Sequence, residues 1–78
     1  MACINPDGTL TRIARAVLTA LNPPKSAEQV AIASGVPLYR VRASLRETAA
    51  AGLVAPVAGE LVGLTDKGIE VLELSGED

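Results

Sequence analysis

The sequence predicts a mainly helical α+β domain: three helices, then a short β-hairpin, then a last helix. Three observations carry this. Apolar residues recur at spacings of three and four along Leu10, Ile13, Ala14, Val17, Leu18 and Leu21, the stripe of a helix laid on a core. Gly35 and Pro37 interrupt a second helical region, splitting it into stretches over about 27–34 and 38–51. Beyond Gly52 the pattern changes to two β-leaning runs, Leu53-Val54-Ala55-Pro56-Val57 and Leu61-Val62-Gly63-Leu64-Thr65, joined by Ala58-Gly59-Glu60. A chain of 78 residues accommodates one domain, taken as 1–78.

Each element has its own start and stop signals. Asn5-Pro6-Asp7-Gly8 is a turn. Helix 1 is expected over about 9–21, capped by Asp7 or Thr9 and ended by Asn22-Pro23-Pro24, because proline cannot continue a helix and disfavours helical geometry in the residue before it. Ser26-Ala27-Glu28-Gln29 has the form of a capping box that opens helix 2. Gly35 is expected to close that helix in the left-handed conformation. Pro37 suits the first turn of helix 3, where its missing N–H costs nothing. On helix 3, Leu38, Val41, Leu45, Thr48 and Ala49 share one side. Tyr39, Arg40, Ala43, Arg46, Glu47 and Ala50 share the other, and Arg42 lies at the border. The hairpin is expected over 53–65, with Pro56 confining its strand to an edge. Thr65 caps a last helix over about 66–74, with Asp66 in its first turn, and Gly76-Glu77-Asp78 forms a solvated tail.

Composition removes several function classes. There is no His, Trp or Phe, and Tyr39 is the sole aromatic. Histidine acid–base chemistry and Cys/His zinc sites are excluded. So are stacking platforms for single-stranded nucleic acid, which need several aromatics. One cysteine, Cys3, forms no intrachain disulfide and suits a reducing compartment. No charged-then-apolar leader and no apolar run near 18 residues occurs, so a cytoplasmic location is expected, without membrane association. No nucleophile–base pair or phosphate-binding glycine loop is present, and the expectation is a non-enzyme without cofactor or metal. The carboxylates Glu70, Glu73, Glu77 and Asp78 read as a solvated acidic run.

The net charge of −2 is unevenly spread. Residues 1–59 carry six cations against three carboxylates, and residues 60–78 carry one cation against six carboxylates. What matters for a polyanion is the local count of cations that can face phosphates. Three of those six, Arg40, Arg42 and Arg46, fall on helix 3, the second helix of a helix–turn–helix unit, whose geometry suits the major groove of DNA.

The order of elements resembles the winged helix-turn-helix superfamily, in particular the core of MarR-like and PadR-like regulators. The resemblance rests on Val30-Ala31 before Gly35-Val36, on Val41 and Leu45, on Ala51-Gly52-Leu53-Val54, and on Leu64-Thr65-Asp66-Lys67-Gly68. It spans roughly Leu10 to Leu74. It implies a three-helix core, a two-stranded wing and a C-terminal helix, and a transcriptional regulator that binds double-stranded DNA sequence-specifically by inserting helix 3 in the major groove. Two departures stand out: Ala43 replaces a residue often basic or polar, and the short wing has Glu60 near its tip in place of arginine.

The expected DNA-binding residues are Lys25, Leu38, Tyr39, Arg40, Arg42 and Arg46. For the arginines the alternative is a solvated helix face, with Arg42 or Arg46 paired to Glu28 or Glu47. Arg12 and Arg15 read as surface charge. Ile32, Val71 and Leu74 are surplus apolar residues that would suit a homodimer interface. No small-molecule effector is indicated. The competing function is a winged-helix module that binds protein instead of DNA.

Overall fold

A computed structural model describes residues 4–5 and 10–75 of the chain. Its elements are α1 (Arg12–Ala20), α2 (Ala27–Ser34), α3 (Leu38–Ala50), β1 (Val54–Ala58), β2 (Leu61–Leu64) and α4 (Asp66–Ser75). The mainly helical α+β organisation thus matches the expectation from sequence. Cys3, Asp7, Thr9 and the tail 76–78 lie outside the described residues.

α1 begins later than its apolar stripe suggests. Thr11 is its N-cap, with an extended backbone and a hydroxyl that accepts from the Ala14 N–H at 3.3 Å. Leu10 therefore precedes the helix, yet it is buried like Ala14, Val17, Leu18 and Leu21. The stripe continues through the cap because the chain enters the core before it coils.

α2 opens on the capping box. The Ser26 hydroxyl accepts from Gln29 N–H at 3.2 Å, and the Gln29 side chain accepts from Ser26 N–H at 3.0 Å. Two otherwise orphaned donors are satisfied reciprocally. The helix ends at Gly35, whose φ of 74° is the left-handed conformation that L-residues with a Cβ resist. Pro37 is the N-cap of α3, one position earlier than the first helical turn.

α3 buries Val41, Ser44 and Thr48. Leu38 and Leu45 are half-buried and Ala49 is exposed, so the inward face is rotated from the one hydrophobicity alone selects. The Thr48 hydroxyl donates to the Ser44 carbonyl at 2.8 Å, which lets a polar side chain sit in the interior without an unpaired donor. These residues join Val30, Leu53, Val54 and the α1 stripe in one core.

The chain leaves α3 through a Schellman-type turn. Gly52 N–H bonds to Ala49 O at 3.0 Å, and Leu53 N–H bonds to Thr48 O at 2.8 Å. Leu53 then meets the start of α4. Its carbonyl accepts from Thr65 N–H at 3.0 Å, while the Thr65 hydroxyl donates to Gly52 O at 2.6 Å and accepts from Gly68 N–H at 3.0 Å. A Cβ at Gly68 would overlap the Leu53 carbonyl. Gly52-Leu53 and Thr65-Gly68, distant in sequence, are two halves of one junction.

β1 and β2 pair antiparallel, with Val54 opposite Leu64, Pro56 opposite Val62 and a bulge between Pro56 and Ala58. β2 also carries a bridge on its other edge: Lys25 N–H donates to Val62 O at 3.1 Å, and Val62 N–H donates to Lys25 O at 2.8 Å. Since both polar groups of Val62 turn away from β1, Pro56 faces it at a non-hydrogen-bonded position, where a missing N–H costs no ladder bond. β1 is the free edge.

Candidate nucleic-acid interface

The outer side of α3 is the most densely cationic surface of the described chain. Its inward face is fixed by Val41, Ser44 and Thr48 with Leu45 at the edge, so Tyr39 and Arg46 project from the opposite side. Tyr39 is 69% exposed, Arg42 and Arg46 are exposed, and Arg40 and Ala43 are half-buried. Leu38, at the helix start, is half-buried.

The three arginines differ in what holds them. Arg40 donates from Nε to the Tyr39 hydroxyl at 3.2 Å, and its guanidinium carbon lies 5.9 Å from the Tyr39 ring centroid. Its partner is neutral, so its charge stays available, and the contact narrows the range of its fork. Arg42 pairs with Glu28 of α2 at 3.2 Å, and the two side chains are 56% and 57% exposed. Such an exposed pair is a weak tether. Among the described residues, no ion pair or hydrogen bond engages Arg46.

Lys25 has a structural role beside its expected phosphate contact. Its ammonium donates to the Ala20 carbonyl at 2.7 Å and the Pro23 carbonyl at 3.3 Å. It satisfies the open C-terminal end of α1, where the helix dipole favours a cation. Both partners are neutral carbonyls, so the bonds hold the ammonium beside α1 and leave its charge in place. The backbone of Lys25, between Pro24 and the Ser26 cap, forms an isolated antiparallel bridge to Val62 of β2, which nothing local in the sequence announces.

The hairpin supplies no cation. Its strands read VAPVA and LVGL, and its two-residue tip is Gly59-Glu60. Arg12 is exposed and Arg15 half-buried; both line a shallow groove between α1 and α2 with Ala16, Thr19 and Ser34.

Of the apolar residues set apart as surplus, Ile32 is 85% and Leu74 78% exposed. Val71 is half-buried and packs against the core, which leaves little of it for a partner. Ile69, at 44% exposed, is the further open apolar residue of α4. No described helix is long and apolar enough to cross a membrane, and among the described residues no three His, Cys, Asp or Glu side chains converge. Comparison with protein families, characterised proteins and solved structures yields no match to this chain.

Proposed function

We propose that this chain is a winged helix-turn-helix domain that binds double-stranded DNA sequence-specifically through α3, and that it acts as a transcriptional regulator. The observation that carries this reading is the anchored, cation-bearing face of α3. Val41, Ser44 and Thr48 fix the helix to the core, and Tyr39, Arg40 and Arg46 stand on the open side. A helix of 13 residues is about 20 Å long, sufficient to follow a major groove. Arginine's planar fork suits both phosphate oxygens and guanine edges. The order of elements, the Lys25 bridge to β2 and the Gly52–Gly68 junction support the winged-helix assignment.

With the wing uncharged except for Glu60, each copy brings few cations to a duplex. A homodimer would double them. A twofold dimer that spaces its two α3 helices about 34 Å apart would meet successive major grooves on one side of the duplex.

The test is fluorescence anisotropy on a duplex recovered by selection from random sequences, at fixed salt. Arg40→Ala and Arg46→Ala should each weaken binding by about 1–3 kcal/mol where the contact is to a base. Unchanged affinity in both variants sinks the assignment.

A second reading follows from Ile32 and Leu74, open apolar groups on a domain with an acidic hairpin tip. It makes the domain a protein-binding adaptor. Salt separates the two, since duplex affinity falls steeply with salt and apolar association does not. No duplex binding even at low salt favours the adaptor.

A further inference from the structure

We propose that Glu28 sets the DNA affinity of this domain by holding Arg42 off the phosphate backbone. The inference rests on the DNA-binding reading above. Glu28 stands in the first turn of α2, where the helix dipole favours a carboxylate. The Ser26–Gln29 box fixes that turn. From there its Oε2 accepts from the Arg42 guanidinium at 3.2 Å. The bond spans 14 residues and ties the two helices on the surface that α3 would present.

The consequence is a change in the number of working cations. With Arg42 neutralised, Arg40 and Arg46 are the cations of α3 left to meet phosphates, and the hairpin adds none. Each phosphate neutralised by a side chain releases counterions and steepens the salt dependence by about 0.9 in log–log slope. A third cation on α3 therefore has a defined signature, distinct from a change in fold stability. Glu28 is a positioning residue, because it acts through Arg42 without itself touching the nucleic acid. Both side chains are more than half exposed, so the tether opens readily, and removing it leaves the interior unaltered.

The experiment is a double-substitution cycle. Wild type, Glu28→Gln, Arg42→Gln and the double variant are titrated against one labelled random-sequence duplex, by anisotropy, across a series of monovalent salt concentrations. Glu28→Gln should bind up to about fivefold more tightly at 0.1 M salt, the most an exposed ion pair can withhold, with a slope steeper by up to about 0.9. Arg42→Gln should cost less affinity in the wild-type background than in the Glu28→Gln background, since the tether already competes for that charge. The double variant should lose the gain.

Wild-type binding that Glu28→Gln leaves unchanged overturns the proposal while the DNA-binding reading survives. A gain that persists in the double variant also overturns it, because Glu28 would then act by repelling phosphate directly. Absence of duplex binding by all four proteins overturns the DNA-binding reading together with this one.

Discussion

Lys25 uses different atoms for two structural tasks. Its backbone pairs with Val62, and its ammonium closes the C-terminal end of α1 on Ala20 and Pro23. A charge-assisted bond of this kind, half in solvent, is worth about 1 kcal/mol. Lys25→Met keeps the aliphatic stem and the backbone bridge but removes the ammonium. It should lower the unfolding free energy by about 1 kcal/mol in urea denaturation. Its duplex affinity should stay within about twofold, whereas a lost phosphate contact would cost up to about eightfold at 0.1 M salt. A large loss of affinity with unchanged stability would place Lys25 at the interface. Gly68 makes the opposite kind of demand, for space. The carbonyl of Leu53 occupies the place of its Cβ, and that carbonyl is itself fixed by Thr65. Gly68→Ala should cost about 3 kcal/mol, at the upper end of overpacking penalties because the obstacle is backbone. Lys67→Ala, at the neighbouring exposed position, should stay within about 0.5 kcal/mol. Equal stability of the two variants would show that α4 can shift away from Leu53 at no cost.

At the scale of elements, local chemistry was legible and partnership was not. The Ser26–Gln29 box and the Gly35 stop each depend on residues within four positions of one another, so composition and spacing specify them, and the hairpin tip differs from the expected Ala58-Gly59-Glu60 loop only in that Ala58 joins β1. The apolar stripe of α1 is likewise local, and the positions it names are buried, with Ile13 partly so. What escaped depends on distant chain. Ser44 is buried because α3 turns that side to the core, a rotation that a reading by polarity does not give, and the Thr48 hydroxyl one turn on is satisfied by the Ser44 carbonyl. Val71 belongs to the core for the same reason: α4 docks by its Gly68 approach to Leu53, and that fixes its rotation. The three arginines of the candidate site could be named from sequence, and Glu28 stood among the carboxylates offered to Arg42 or Arg46, but which arginine is paired and which is open could not be read. Arg42 meets a carboxylate 14 positions away, Arg40 meets its neighbour Tyr39, and Arg46 stands open. Periodicity reports a face, and only packing reports who shares it. The Gly52–Gly68 junction shows how far a motif can be traced to mechanics. Thr65 caps α4 and locks the exit of α3 with one hydroxyl.

For the whole molecule the decisive quantity is the separation of charge and of open apolar surface. The cationic side of α3 lies in the first part of the chain, and α4 carries Asp66, Glu70 and Glu73 alongside Ile69 and Leu74. A domain of this size buries only about 60% of its unfolded surface and gains much from association. In the proposed homodimer a twofold contact sets the same patch against itself. If α4 forms it, Leu74 meets apolar surface of the partner, while the carboxylates of both copies are brought together. Those like charges oppose association until salt screens them. The dimer should therefore tighten as salt rises, and apolar burial by Leu74 should also be favoured by sulfate. DNA binding runs the other way and weakens with salt. Sedimentation velocity at 0.05 and 0.5 M salt, values chosen on the order of a Debye length of 14 Å and 4 Å, should show more dimer at the higher concentration. Leu74→Glu should leave a monomer at both, and its melting temperature should lose any dependence on protein concentration. A wild-type dimer that weakens with salt would place the contact away from α4. Ile32 of α2, at 85% the most exposed large apolar residue among those described, would then be the site to substitute.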